Sequence, residues 1–118
     1  MTENSQAADD AATQALERCY CPVGGVLDLL SRKYAIRVVC AVGALQPVRY
    51  GAVEEAFGEV SSSTLSARLR ELVDAGLLDR EQYDAIPPRV EYSLTDDGEA
   101  LCTALNPLLD WAEEWDAR

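Results

Sequence analysis

The spacing of apolar residues changes at Gly76, and this change constrains the fold more than any other feature of the chain. Before Gly76 the leucines recur every three or four residues, as on one buried face of a helix; they are Leu65, Leu69 and Leu72. Serines can cap the start of this helix, and glycine commonly follows its end. After Gly76 the pattern becomes that of two short strands, 77–83 and 90–94. The pattern therefore predicts a helix followed by a β-hairpin.

Shorter helices are predicted before this segment, over residues 22–30, 34–45 and 50–57. The first has apolar residues at helical spacing. The second is apolar enough to lie in the core and stops before Pro47, because the residue before a proline disfavours helical geometry. Gly58 closes the third.

The C-terminal region carries one nearly continuous apolar stripe, made of Leu101, Leu105, Leu108, Ala112 and Trp115. Thr95 can cap a helix at its start, and Asn106-Pro107 is itself a good cap and first-turn pair. The region is therefore either two helices or one helix kinked at Pro107.

Together these elements predict an α+β chain that is mostly helical. Three helices followed by a hairpin is the plan of the winged helix-turn-helix, in which the last helix of the trio enters the major groove of DNA. A chain of 118 residues is long enough for one core. We expect a single domain over 13–118, with a two-stranded β-wing and a C-terminal dimerisation helix, and a disordered acidic tail over 1–12.

Composition argues against an enzyme. The chain has no histidine, which removes the commonest general base and the commonest metal ligand. Cys19 and Cys21 are too closely spaced for the usual zinc knuckle, so no metal or other cofactor is expected. The N-terminus has no signal-peptide pattern, and no apolar run is long enough to cross a membrane. We therefore expect a cytoplasmic protein whose four cysteines are free thiols.

The net charge of −11 is unusual for a nucleic-acid binder, but the charge is unevenly distributed. Residues 31–70 contain six basic and three acidic side chains, a local balance of +3, so the rest of the chain carries −14. Only one of the ten basic residues is a lysine. This composition is typical of a protein from a salt-loving archaeon; the alternative is an ordinary acidic cytosolic protein.

The chain resembles the HxlR-type transcriptional regulators, relatives of the MarR group. The matching parts are the pairs Cys21-Pro22, Lys33-Tyr34 and Gly76-Leu77, the segments 27–30, 63–66, 68–72 and 87–95, and the residues Gly98 and Trp111. The chain departs from the family at 31–34, where members usually carry Gly-Gly-Lys-Trp. It also departs at Ala67, where a long polar side chain is common and a base contact is thereby lost.

The resemblance implies a homodimer that binds an inverted repeat in double-stranded DNA. The candidate DNA-binding residues lie on the predicted recognition helix, before the third helix and at the wing; they are Arg49, Ser62, Ser63, Thr64, Ala67, Arg68, Arg70 and Arg89. We expect Arg68 and Arg89 to lie on the surface. The serines could instead only cap the helix, and Arg89 could instead pair with Glu91 or Asp84.

The resemblance also implies an interface built by the N-terminal segment and the C-terminal helix. The candidate interface residues are Leu101, Leu105, Leu108, Trp111 and Trp115; the alternative is that they cover the core of their own domain. Cys21 is a candidate redox or electrophile sensor, or else a small packing residue. A winged helix that acts as a protein–protein adaptor without DNA binding is the alternative function. The effector, the operator and the roles of Cys19, Cys40 and Cys102 stay open.

Overall fold

The structure, a computed structural model, describes residues 25–118. Its elements are α1 (Gly25–Leu30), α2 (Ala35–Leu45), β1 (Val48–Arg49), α3 (Tyr50–Phe57), α4 (Ser62–Asp74), β2 (Leu78–Tyr83), β3 (Arg89–Leu94) and α5 (Asp96–Asp116). The strands form one antiparallel sheet in the order β1-β3-β2. The predicted order of helices, hairpin and final helix is confirmed, and so is the winged-helix fold class. The predicted tail over 1–12 and the start of the predicted first helix lie outside the described residues.

The chain divides into two compact units, with the boundary between Arg32 and Lys33. The described part of the first unit is α1 and the turn that follows it. Ser31 Oγ donates a hydrogen bond of 2.7 Å to the carbonyl oxygen of Asp28, and an ion pair of 3.9 Å joins Arg32 to the Asp28 carboxylate. These local contacts lie at the C-terminal end of the helix.

Helix α2 is the central core helix of the second unit. Ala35, Val38, Val39 and Val42 are fully buried on it, as the apolar run predicts. The helix ends before Pro47, and the side chain of the intervening Gln46 then accepts a 2.8 Å hydrogen bond from the backbone N–H of Leu94. This bond ties the end of α2 to the last strand.

Strand β1 was not predicted from the sequence. It has two residues, and it pairs with β3 so that Val48 lies opposite Tyr92 and Arg49 lies opposite Glu91. Two residues are too few to show an alternating pattern, so only the partner strand defines this element. The wing therefore belongs to a three-stranded sheet, while its two long strands and the loop between them agree with the prediction.

Helix α4 has the buried face that the leucine spacing predicts, and it ends shortly before Gly76, as expected. Ser61 is the residue that caps it, since its hydroxyl accepts a hydrogen bond of 3.3 Å from the backbone N–H of Thr64. All three of its leucines are buried: Leu65, Leu69 and Leu72. Gly76 then adopts a φ of +82°, a left-handed conformation that glycine enters at little cost.

The C-terminal region is one helix, α5, which includes Pro107. Thr95 caps it as predicted, because its hydroxyl accepts from the N–H of Gly98 at 3.0 Å, and the same hydroxyl donates to the Gly76 carbonyl at 2.6 Å. A Cβ at Gly98 would overlap the carbonyl oxygen of Leu77, so only glycine fits there. These contacts fix the start of α5 against the turn between α4 and the wing.

Among the helices of residues 25–118, none combines the length and the apolar character that a membrane crossing would require.

Candidate nucleic-acid interface

The first turn of α4 presents two serines to solvent. Ser62 and Ser63 are exposed, whereas Thr64 is half-buried and its hydroxyl accepts a 2.9 Å hydrogen bond from the Ser61 hydroxyl. Tyr50, the first residue of α3, donates its hydroxyl to the carbonyl oxygen of Ser62 at 3.1 Å. This bond holds the start of α4 against α3, as a helix-turn-helix requires. The free N–H groups and hydroxyls of such a helix start can meet phosphate oxygens.

The outer face of α4 continues with Ser66 and Arg70, which are both exposed. Together with Ser63 they follow a three-and-four-residue spacing, so they lie on one face of the helix. Ala67, beside them, is half-buried and offers only a methyl group. Sequence reasoning missed Ser66, although its spacing from Ser63 and Arg70 was a sufficient signal.

Arg68 does not lie free on the surface, and the expectation that it does is wrong. Its side chain is only 18% exposed. Nε donates a 2.8 Å hydrogen bond to the carbonyl oxygen of Lys33, and Nη1 lies 3.1 Å from one carboxylate oxygen of Glu71 and 3.3 Å from the other. Arg68 therefore joins α4 to the residue before the α2 cap.

Arg89 opens strand β3 at the end of the wing loop. Its guanidinium lies over the ring of Tyr83, with 4.6 Å between the central carbon and the ring centroid. Nε is 3.4 Å from a carboxylate oxygen of Glu91 but has no hydrogen-bond partner among the described residues. Arg89 and Glu91 are therefore close enough to form an ion pair, which is the alternative role for Arg89. The pair lacks the geometry of a strong charge-assisted hydrogen bond.

Two more arginines flank this surface. Arg49 is exposed on β1, directly opposite Glu91. Arg80 is exposed on β2 and is the register partner of Tyr92. Sequence reasoning did not single out Arg80, because a strand pattern gives alternate sides of a strand and does not tell which side faces another element.

The C-terminal stripe separates into buried and exposed parts. Leu105 is 8% exposed and belongs to the core of its own domain. For this residue the structure therefore favours the core role over the interface role. Leu101 is half-buried, while Leu108, Trp111 and Trp115 are more than half exposed. The two tryptophan rings stack, with their centroids 5.5 Å apart.

Two free thiols, Cys40 and Cys102, line a surface groove that lies between α2, β3 and α5 and has a volume of about 310 Å³. Burial raises the pKa of Cys40, and burial together with the nearby Cys40 raises the pKa of Cys102. Both side chains are therefore protonated, weakly reactive thiols at neutral pH.

Cys19 and Cys21 lie outside the described residues. No group of three or more acidic, cysteine or histidine side chains that could hold a metal ion occurs within 25–118.

The helix pair α3–α4, with the β2–β3 hairpin after it, defines a winged helix-turn-helix protein. The family model described as HxlR-like helix-turn-helix matches residues 29–118, and the chain belongs to this family. The resemblance stated from the sequence is thus confirmed. The family and the relatives are transcriptional regulators and not enzymes.

An uncharacterized helix-turn-helix transcriptional regulator of Halalkalibacterium halodurans is 36% identical over 90 residues, which cover 76% of this chain and 80% of the relative. The crystal structure of a candidate HxlR family transcriptional factor from Thermoplasma volcanium has a TM-score of 0.71 at 28% identity and covers 83% of this chain and 87% of that one. The structure of the redox regulator HypR in its oxidized form has a TM-score of 0.67 at 30% identity. The match covers 80% of this chain and 96% of that one.

Proposed function

We propose that this protein regulates transcription in the cytoplasm by binding, as a homodimer, an inverted repeat in double-stranded DNA. The observation that carries the proposal is the outer face of α4, where Ser62, Ser63 and Arg70 are exposed. Membership in a family of helix-turn-helix regulators supports the same conclusion. Short hydroxyls and an arginine on this face suit phosphate and base-edge contacts in a major groove.

The remaining candidate residues take graded roles in this proposal. Thr64 and Ala67 lie close to the groove but contribute little hydrogen bonding, because one hydroxyl is used in the cap and the other residue has none. Arg49 and Arg89 contact backbone phosphates beside the groove. Arg68 acts through its bonds to Lys33 and Glu71, which set the angle of α4.

Binding to DNA fragments from upstream of the protein's own gene tests the proposal, with an unrelated duplex for comparison. Protection of a site with two-fold symmetry is the expected result. A protein that protects no fragment but retains a partner protein would instead be an adaptor.

We expect Arg70→Ala and Arg89→Ala each to weaken operator binding by about 5- to 150-fold, which corresponds to about 1–3 kcal/mol for one charge-assisted contact. Arg70 is exposed and the Arg89 side chain is 41% exposed, so the thermal unfolding midpoint should change little. Fluorescence anisotropy with a mapped operator measures the effect. Arg37→Ala is the matched control, since it removes the same charge from a guanidinium that lies over the Phe57 ring, 4.8 Å from its centroid. Unchanged affinity in both test variants would contradict the assignment of this face.

We further propose that Cys21 senses oxidants or electrophiles, a proposal supported by the similarity to a protein named a redox regulator. A mild thiol oxidant is expected to change the operator affinity of the wild type but not of Cys21→Ser. The double variant Cys40→Ser/Cys102→Ser is the control and should respond like the wild type, because its two thiols have raised pKa values. An equal response of the wild type and Cys21→Ser would make Cys21 a packing residue.

A further inference from the structure

A small surface pocket lies between α4 and the strands of the wing. It has a volume of about 240 Å³, and its lining residues are Ser66, Arg70, Val73, Asp74, Arg80 and Tyr92. Arg80 and Tyr92 face each other in register, two residues beyond the paired Leu78 and Leu94. Side chains two residues apart on a strand share a face, so Arg80 and Tyr92 continue the face that carries the buried Leu78.

The two arginines of this pocket, Arg70 and Arg80, have no charged or hydrogen-bonded side-chain partner within residues 25–118. Neither Arg70 nor Arg80 forms an ion pair or a side-chain hydrogen bond with any of residues 25–118, whereas Arg68 is bound on two sides. Asp74 lines the same pocket and is still too far from both guanidinium groups to pair with either. Two unpaired guanidinium groups that share one concave site, with the hydroxyls of Ser66 and Tyr92 beside them, leave an unfilled set of hydrogen-bond donors.

We infer that this pocket receives one phosphate group of the DNA backbone, with Arg70 and Arg80 as its charged donors and Ser66 and Tyr92 as its hydroxyl donors. The inference rests on the proposed function and adds contacts to it. A guanidinium fork matches two oxygens of a phosphate, and backbone contacts between a recognition helix and a wing fix the register of the protein on the duplex.

The charge of the pocket selects a phosphodiester over a small phosphate ester. Two arginines and Asp74 give a balance of +1, which matches the single negative charge of a backbone phosphate. A phosphomonoester carries close to two negative charges at neutral pH and would meet the Asp74 carboxylate with one charge unmatched. The backbone of DNA is therefore the expected source of the anion.

Arg80→Ala is expected to weaken binding to the operator and to an unrelated duplex by the same factor, because a phosphate contact carries no sequence information. The slope of log affinity against log salt should become more positive by about 0.9, the value for one lost phosphate contact. Asp74→Asn should strengthen binding to both duplexes. Gln82→Ala, on the same strand and face, is the uncharged control and should change neither quantity.

A duplex series with one uncharged methylphosphonate at each backbone position in turn identifies the phosphate. The wild type should lose affinity at every phosphate that the protein contacts, and at one of these positions per half-site Arg80→Ala should lose nothing further. Unchanged affinity and slope in Arg80→Ala, while the wild type binds DNA, would overturn the inference and leave the proposed function intact. Failure of the wild type to bind any duplex would overturn the proposed function itself. If inorganic phosphate stabilises the wild type but not Arg80→Ala, and Arg80→Ala binds DNA normally, the pocket holds a small anion and the inference is wrong.

Discussion

Trp111→Asp is expected to convert the proposed dimer into monomers and to lower operator affinity by about 10²- to 10⁴-fold. Leu108, Trp111 and Trp115 are 54%, 54% and 53% exposed, and they lie within two turns of α5. Large apolar side chains that share one face of a helix are typical of an interface, and a two-fold axis brings each such patch against its own copy. The substitution would place two buried carboxylates at that interface, without partners.

The expected loss of affinity follows from the loss of linkage between half-sites. When two recognition helices belong to one dimer, the second half-site is bound at a high effective concentration, which adds a factor of about 10²–10⁴ without any new contact. Light scattering measures the mass, and anisotropy with full and half operators measures the linkage. The half-operator affinity should be the same in the wild type and in Trp111→Asp.

Leu105→Ala separates this effect from a loss of folding. Leu105 is buried in its own domain, so its truncation should cost about 2–5 kcal/mol of the free energy of unfolding and lower the unfolding midpoint. The Trp111→Asp monomer should unfold at nearly the same midpoint as the monomeric wild type. A wild-type protein that stays monomeric at all concentrations would contradict the proposed dimer.

Residue spacing was sufficient for the helices and for the buried face of α4. Leu65, Leu69 and Leu72 are buried because local periodicity fixes which side of a helix is apolar, and the cap and stop at its ends are also local signals. The helix cap at Thr95 and the helix stop at Gly76 could be predicted from local signals of the same kind. These parts of the fold depend on residues within a few positions of one another.

The sequence could not predict contacts that depend on distant partners. Arg68 is bound to a carbonyl 35 residues away, at Lys33, and no pattern around Arg68 encodes that bond. Strand β1 exists only because β3 lies beside it, with Val48 opposite Tyr92 and Arg49 opposite Glu91, more than 40 residues further along the chain. Arg80 enters the candidate site because the sheet turns one of its faces toward α4. Such juxtapositions arise from the packing of elements, which local spacing does not report.

Operator binding is expected to survive molar potassium chloride, with a slope of log affinity against log salt that is shallow or positive. A protein that made four phosphate contacts through arginines would ordinarily have a slope of about −3.6, at about −0.9 for each contact, and would lose more than a thousandfold in affinity over one decade of salt. In this chain the −14 that lies outside residues 31–70 opposes that trend, because it repels DNA.

The two effects respond differently to salt. Repulsion from distant carboxylates acts over a Debye length of about 10 Å at 0.1 M, which shrinks to about 3 Å at 1 M, so added salt removes it. The direct contacts proposed for Arg49, Arg70 and Arg89 are shorter than either length and are expected to persist. Glu71 is already occupied by Arg68, which leaves exposed carboxylates such as Asp74 and Asp79 as the groups that take up cations when DNA approaches. Cation uptake by these groups offsets the counterions that DNA releases.

A titration of operator affinity from roughly 0.2 to 2 M salt, a range chosen to span this screening, measures the slope. The double variant Asp74→Asn/Asp79→Asn should bind more tightly at low salt and show a more negative slope, because it has lost two sites of cation uptake near the phosphates. Ser93→Ala, on the strand opposite Asp79, is a neutral control that should retain the wild-type slope. A steep, monotonic loss of affinity in the wild type would mean that counterion release dominates, and that the acidic surface has no part in how this protein meets DNA.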